Sequence, residues 1–101
     1  MYYMVVKGNQ QNEWEHQENH FGLKQLYDII ECSMIQVVQL NGIALTCDDG
    51  SLIQDPLMIL DEEGKLKQQE VNLMATHLFR IAGINDVAVG TVVICDERLL
   101  Q

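Results

Sequence analysis

The stretch 56–82 constrains the fold more than any other part of the sequence. It opens with a continuous apolar run at 57–60, which has the length of a strand and is bounded by a proline and an aspartate. An acidic turn follows and ends at Gly64, where the absence of a side chain allows a positive φ. These features predict a buried strand that leads directly into a tight turn.

The second half of the same stretch predicts a helix. Asn72 precedes the run 73–82, and asparagine is a favoured N-cap because its side-chain oxygen accepts a hydrogen bond from a free backbone N–H. Gly83 is suited to end the helix, because glycine takes the left-handed conformation without strain. A strand, a turn and a helix supply a core but do not indicate an activity.

The spacing of apolar residues predicts the remaining elements. A helical stripe and runs of β-branched residues predict one helix over 22–31 and strands over 2–6, 34–40 and 87–95. Asn41-Gly42 is a strong turn signal, so we expect residues 34–47 to form a hairpin around it.

This order of elements predicts a single α+β domain over residues 1–101. We expect two helices packed on one face of a mixed, mostly antiparallel sheet of about five strands. Residues 7–20 are polar apart from Trp14, and they form either a long loop or a short polar strand around it. Because connections of this length are uncommon unless functional or mobile, we expect this segment to face a partner. Residues 96–101 are expected to be a frayed tail.

The charge balance favours one class of partner. Fifteen acidic residues against six basic ones give a net charge of −9. This excess argues against direct binding to nucleic acid or to an anionic membrane, because both need lysine and arginine to displace counterions. It favours a protein with a basic surface. The apolar runs fall short of the roughly 20 residues of a membrane-spanning helix, and the first residues lack the features of a signal peptide.

No residue pattern predicts a catalytic set, a metal or a cofactor. His16 and His20 are four residues apart but lack a third ligand, so we expect solvated side chains. The acidic turns place apolar residues at the first ligand position of a calcium loop, which excludes an EF-hand. There is no nucleophile elbow, phosphate-binding glycine loop or redox pair. We therefore predict that the chain is not an enzyme.

The three cysteines point to a reducing environment. Cys32, Cys47 and Cys95 form no C-x-x-C pair, and each lies in or beside an apolar run. A reduced thiol in such a position behaves as a small core side chain. We expect buried, unreactive thiols in an intracellular protein.

An acidic turn ending in glycine is followed by a helix start of the form Asn-x-x-Ala-Thr. The residues concerned are Glu62, Glu63, Gly64, Asn72, Ala75 and Thr76. With the sequence on either side, over residues 2–96, they resemble a small family of domains of unknown function that is common in phages, prophages and plasmids. Its members usually carry two glycines after the first helix, where this chain has Glu31 and Cys32. The resemblance implies a fold and a mobile-element setting in the cytoplasm of a bacterial host, but no activity.

We therefore expect a non-enzymatic accessory protein that binds and inhibits a host or defence protein. Its carboxylates would mimic the phosphates of nucleic acid and occupy a basic groove on the target. The candidate contacts are the carboxylates of the polar segment and of two acidic turns, with the lone tryptophan: Glu13, Trp14, Glu15, Glu18, Asp48, Asp49, Asp61, Glu62 and Glu63.

Two alternatives remain open at this point. One is a protein that binds or sequesters a small anionic ligand such as a nucleotide signal, with its contacts at Lys65, Lys67, His77 and Arg80. The other is an accessory domain whose role depends on a larger assembly. The sequence does not distinguish the partner or the oligomeric state.

Overall fold

The computed structural model describes residues 1–8 and 12–100. Its elements in chain order are β1 (Tyr2–Val6), β2 (Trp14–His16), α1 (Leu23–Ile30), β3 (Ile35–Gln39), β4 (Ala44–Thr46), β5 (Leu52–Gln54), β6 (Leu57–Asp61), α2 (Leu73–Ile81), β7 (Val92–Cys95) and a 3-10 helix (Glu97–Leu100). Both predicted helices and the apolar strand before the acidic turn are confirmed.

Five of the strands form one sheet in the order β2-β1-β7-β6-β3. Every neighbouring pair is antiparallel. β4 and β5 pair with each other in a separate two-stranded sheet. The α+β class and the five-stranded sheet are therefore confirmed, and the main sheet is wholly antiparallel rather than mixed.

The two helices lie on opposite faces of the sheet, so the expectation that both cover one face is wrong. Met58 belongs to the same core cluster as Phe79 of α2, whereas its neighbour Ile59 belongs to a second cluster with Leu26 of α1. Adjacent residues of a strand point to opposite faces. A continuous apolar run such as that in β6 therefore buries side chains on both faces, and each face needs its own cover.

The hairpin predicted for residues 34–47 is also wrong. β3 pairs with β6 while β4 pairs with β5, so the chain reverses beyond β4 and not at Asn41-Gly42. These two residues do form a turn, in which the N–H of Ile43 donates to the carbonyl oxygen of Leu40 at 3.4 Å, but the turn lies within a longer hairpin arm. The backbone N–H of Gly42 donates to Asp55 Oδ1 at 2.7 Å, which joins this turn to the bend between β5 and β6.

The acidic turn after β6 has the predicted place but a different role for its glycine. Gly64 does not have the positive φ that was expected. It is buried, and a Cβ built on it would lie 2.9 Å from Val89 Cγ2. Close packing, rather than backbone conformation, therefore requires glycine here.

Asn72 caps α2 as predicted, because its side-chain oxygen accepts a hydrogen bond from the N–H of Ala75 at 3.1 Å. The helix ends at Ile81, and Gly83 follows it with a φ of 79°. The Asn-x-x-Ala-Thr motif therefore contains the N-cap of α2 and the residue whose N–H it binds. It begins α2 and fixes the direction of that helix against the sheet.

The closing strand is shorter than the predicted range 87–95. Gly90 has a φ of 73°, which interrupts the strand, and a single antiparallel bridge between Val71 and Val89 lies before it. β7 begins after this interruption. A glycine within a strand pattern predicts an irregularity, and the structure has one at Gly90.

The tail predicted to be frayed is folded up to residue 100. It forms the 3-10 helix, and Leu99 is completely buried in the cluster that contains Leu26 and Ile59. Because Leu99 fills the α1 side of the core, burial of one apolar side chain holds the tail in place. Residue 101 lies outside the described residues.

The polar segment 7–20 contains the short edge strand β2, which was one of the two alternatives. Trp14 lies opposite Met4, is half-buried and packs against the α2 side of the core. Part of the segment expected to face a partner, residues 9–11, lies outside the described residues.

Candidate functional site

A groove of about 480 Å³ lies between the β1–β2 hairpin and α1. Its lining residues are Val5, Lys7, Asn12, Glu13, Glu15, Asp28, Ile29 and Glu31. Four of these carry carboxylates and one carries an ammonium group. We call this feature the acidic groove, defined by Glu13, Glu15, Asp28 and Glu31.

The strand register explains why two of these carboxylates lie on one face. Tyr3 of β1 pairs with Glu15 of β2, and Tyr3 packs in the core cluster beneath α1. Glu15 therefore points to the α1 side of the sheet, and Glu13, two residues earlier, lines the groove on the same side. Alternation along a short strand brings both predicted glutamates to the helix.

α1 and its C-cap supply two carboxylates that were not among the predicted contacts. Asp28 is exposed on α1, Glu31 is exposed at its left-handed C-cap, and both residues line the groove. Lys24 forms an ion pair with Asp28 at 2.9 Å. The short separation of Asp28 and Glu31 along the chain was visible in the sequence. The sequence did not show that these two carboxylates lie near Glu13 and Glu15, because that proximity depends on which face of the sheet α1 covers.

A second groove of about 420 Å³ adjoins the first and shares Asp28 and Glu31 with it. Cys32, Ser33 and Lys67 lie at its other end. The exposed side of α1 therefore has carboxylates in contact with both grooves.

The other predicted contacts lie elsewhere. Trp14 packs against the α2 side of the core, away from the acidic groove. Glu18 is exposed in the bend after β2, and His16 and His20 are exposed nearby, in β2 and in the loop that follows. His16 packs edge-to-face against Tyr2 with a ring separation of 5.0 Å.

Asp48 and Asp49 are exposed at the end of the β4–β5 arm, which bends back to the start of β1. The hydroxyl of Tyr2 donates to Asp49 Oδ2 at 2.9 Å, and Ser51 Oγ donates to Asp49 Oδ1 at 2.6 Å. Hydrogen bonds from Ser51 and Tyr2 lower the pKa of Asp49. Asp49 therefore anchors the arm to β1, whereas Asp48 is exposed beside it.

The second acidic turn contains one buried and two more accessible carboxylates. The side chain of Asp61 is 1% exposed, and it pairs with Lys67 Nζ at 2.7 Å. It also accepts from the backbone N–H of Glu63 at 2.9 Å, which closes the turn. Asp61 is thus a structural residue, while Glu62 is exposed and Glu63 is half-buried.

The four predicted anion contacts do not converge. Lys65 pairs with Asp86 and Lys67 pairs with Asp61, so both ammonium groups already have carboxylate partners. Arg80 lines a small pocket at the end of α2, separate from the groove that Lys67 lines. His77 is exposed in the middle of α2. This arrangement gives little support to a shared anion site.

The three cysteines are free thiols, and their environments suppress ionisation. Burial raises the pKa of the Cys95 thiol to about 12. Burial is also the main cause that raises the pKa of Cys32 and of Cys47. A thiol with a raised pKa is a poor nucleophile at neutral pH, because the thiolate is the reactive form.

Within residues 1–8 and 12–100, no group of three or more His, Cys, Asp or Glu side chains is arranged to hold a metal ion. No helix in the described part of the chain is both long and apolar enough to cross a membrane.

Comparisons of the chain with protein-family models, curated proteins and solved structures find no match. The resemblance to a family of unknown function therefore stays a prediction, and the acidic groove has to be interpreted from its own chemistry.

Proposed function

We propose that this chain is a non-enzymatic protein that binds a basic segment of a partner protein in the acidic groove. The observation that carries the proposal is that carboxylates from separate elements line one groove: Glu13 and Glu15 from the β1–β2 hairpin, Asp28 from α1 and Glu31 from its C-cap. Neighbouring carboxylates repel one another, and a cationic side chain placed among them relieves that repulsion. Charge-assisted hydrogen bonds to such a side chain are stronger than neutral ones.

The apolar part of the lining favours a side chain with a long aliphatic stem. Val5 and Ile29 lie beside the carboxylates in the same groove. Lysine and arginine combine an apolar stem with a charged end, so one side chain contacts both parts of the lining. Lys7 also lines the groove and offsets part of its negative charge. The preferred ligand is therefore a peptide segment with more than one arginine or lysine.

The class of partner is the second part of the proposal. Host and defence proteins that bind nucleic acid carry lysine and arginine on their binding surfaces. An acidic protein that occupies such a surface blocks access of the nucleic acid, which makes it an inhibitor. The net charge of −9 and the resemblance to a family from mobile elements support this setting in the bacterial cytoplasm.

Binding of a short arginine-rich peptide, measured by fluorescence anisotropy, tests the first part. We expect Glu13→Gln, Glu15→Gln and Glu31→Gln together to weaken binding by about tenfold or more, because three charged contacts are lost. Asp28 is left unchanged because it pairs with Lys24. A matched control replaces three exposed carboxylates outside the groove, through Asp48→Asn, Glu70→Gln and Glu97→Gln, and changes the net charge equally.

The comparison of the two triple variants decides the outcome. The groove variant should lose affinity while the control stays close to the parent protein, and the loss should shrink above the ionic strength at which exposed charges are screened. Equal losses in the two variants would show that only the overall charge attracts the peptide. Binding that does not change with salt would argue against a charge-based site.

Capture from a bacterial lysate tests the partner class. The parent protein and the groove variant are immobilised side by side, and proteins retained only by the parent are released with high salt. A partner of the proposed class binds DNA or RNA, and the nucleic acid competes with the chain for it. A retained partner that shows no such competition contradicts inhibition by mimicry but leaves the groove proposal standing.

A further inference from the structure

β3 forms one edge of the main sheet and has a partner strand on one side only. Gln36, Val37 and Gln39 are exposed, and Val37 is 45% accessible to solvent. Within residues 1–8 and 12–100, no strand pairs with the outer side of β3. Its outer backbone groups are therefore open to a further strand.

The hydrogen bonds at the two ends of the β3–β6 ladder identify the outward groups. Leu40 N donates to Pro56 O at 2.8 Å, and Glu62 N donates to Met34 O at 3.1 Å. Residues 34 and 40 thus point their backbone groups at β6, and in an antiparallel ladder so do the even-numbered residues between them. The N–H and C=O groups of Ile35, Val37 and Gln39 consequently point away from the sheet.

This edge lacks the features that usually prevent strand addition. Charged side chains, proline, bulges and short length are the common protections of an edge strand. The opposite edge, β2, has three residues, includes Glu15 and follows Glu13. β3 has five residues, all of them valine, isoleucine or glutamine. In a chain with a net charge of −9, an uncharged edge of this length is an exception.

We propose that β3 pairs with β3 of a second copy of this chain, antiparallel and centred on Val37. In this register Val37 lies opposite its own equivalent, and Ile35 lies opposite Gln39 of the other copy. Every outward N–H and C=O group of these three residues then has a partner. The pairing is self-complementary, as a two-fold interface requires, and it joins the two main sheets into one.

Two features of β3 favour a second copy over a foreign strand. The register that satisfies all its outward backbone groups is symmetric about a residue of β3 itself. No charged side chains meet across the dyad, although the two copies repel each other through their net negative charge. Glu97 lies beside this edge, and its carboxylate accepts a hydrogen bond from Gln39 at 3.3 Å. Dimerisation should therefore become stronger as salt increases.

Sedimentation velocity over a range of concentrations tests the dimer. We expect Val37→Lys to weaken dimerisation by about tenfold or more, because two like charges would lie directly opposite each other. The matched control is Leu66→Lys, which makes the same change at a residue that is 83% exposed and far from β3 in sequence. Both variants reduce the net charge equally, so only a contact at β3 separates them.

Val37→Pro tests the backbone pairing itself. The N–H of Val37 points outward, so proline removes a donor from the edge without breaking a hydrogen bond to β6. We expect a folded monomer, shown by an unchanged circular dichroism spectrum. Val38→Pro removes an inward N–H and should instead destabilise the fold.

Cross-linking tests the register. A cysteine introduced by Val37→Cys would lie about 5.5 Å from its equivalent between Cα atoms, within the range of a disulfide. One introduced by Gln39→Cys would lie about 14 Å from its equivalent, which is too far. Oxidation should therefore give a covalent dimer of the first variant and not of the second, and the reverse result would show a different register.

A chain that stays monomeric up to about 1 mM at high salt would overturn the proposal and leave this edge to another partner. Equal effects of Val37→Lys and Leu66→Lys would overturn it as well. The salt dependence separates this proposal from the acidic groove, because dimerisation strengthens with salt whereas binding of a basic peptide weakens.

Discussion

The side-chain amide of Asn72 donates a hydrogen bond to the carbonyl oxygen of Val6 at 3.0 Å, inside the core. The same amide nitrogen donates to Gly90 O at 2.9 Å, and the amide oxygen caps α2 through the N–H of Ala75. One buried side chain therefore joins the end of β1, the irregular segment before β7 and the start of α2. The bond to Ala75 lies within the start of α2, whereas the bonds to Val6 and Gly90 connect α2 to the sheet.

Asn72→Ala should lower the free energy of unfolding by about 3 kcal/mol, because it removes the helix cap and leaves buried carbonyl groups without donors. Urea denaturation followed by the fluorescence of Trp14, the one tryptophan, measures the change. Asn72→Ser restores a cap but is too short to reach the carbonyls, so it should recover about 1 kcal/mol. Asn72→Asp keeps the cap acceptor and removes the donor. If it is as stable as the parent, the bonds to Val6 and Gly90 contribute nothing.

The parts of this fold that the sequence predicts correctly depend on short-range signals. The Asn72 cap, the apolar stripe of α1 and the uninterrupted strand β6 each involve residues close together in the chain. A residue type and its immediate neighbours are sufficient to predict them. Gly90 belongs to the same class, since an irregularity is expected at a glycine within a strand.

The parts that the sequence does not predict depend on partners far apart in the chain. Asn41-Gly42 forms the turn that its sequence favours, but the turn does not pair the strands on either side of it. β3 pairs instead with β6, which is buried between both of its neighbours. The acidic groove has the same origin. Glu15 and Glu31 line the same groove only because α1 covers the face of the sheet toward which Glu15 points. No local sequence pattern indicates which face a helix covers.

Glu31→Gly should stabilise the protein by about 0.5–1 kcal/mol. Glu31 ends α1 in the left-handed conformation, with a φ of 60°, and glycine adopts that conformation without the steric cost of a Cβ. Thermal or urea unfolding measures the gain. Glu31→Ala removes the same side chain but keeps the Cβ, so it should give no comparable gain. Equal stabilisation by both variants would assign the effect to the charge of Glu31 and not to the backbone.

Native protein at pH 8 should react slowly with iodoacetamide at all three cysteines. Burial raises the pKa of each thiol, and that of Cys95 to about 12, so little thiolate is present and access is restricted. Mass spectrometry should show Cys32, which is half-buried, reacting first and Cys95 last. In denaturant all three should be modified. Rapid labelling of native Cys95 would contradict its buried position in β7.

Asp96 should contribute stability that is lost in acid. Its carboxylate accepts hydrogen bonds from the guanidinium of Arg98 at 2.6 and 3.0 Å, and chiefly for this reason its pKa is lowered. A lowered folded-state pKa means that the contribution is present above the ordinary aspartate pKa and disappears as pH falls through the folded value. As the pH is lowered below about 4, the free energy of unfolding should therefore fall less in Asp96→Asn than in the parent protein. Parallel acid titrations of the two proteins would contradict this assignment.

Gly90→Ala should destabilise the protein more than Gly83→Ala, although the two glycines have similar φ values of 73° and 79°. A Cβ at Gly83 meets open space, so the cost there is the backbone conformation alone, about 1 kcal/mol. A Cβ at Gly90 would lie 2.1 Å from Gln69 Oε1 and displace a side chain whose amide donates to Asp61 at 3.4 Å. Urea denaturation of both variants gives the difference. Adding Gln69→Ala to Gly90→Ala should remove most of the excess, because the displaced side chain is then absent. An excess that persists in the double variant would show that the strain lies in the backbone at Gly90 and not in contact with Gln69.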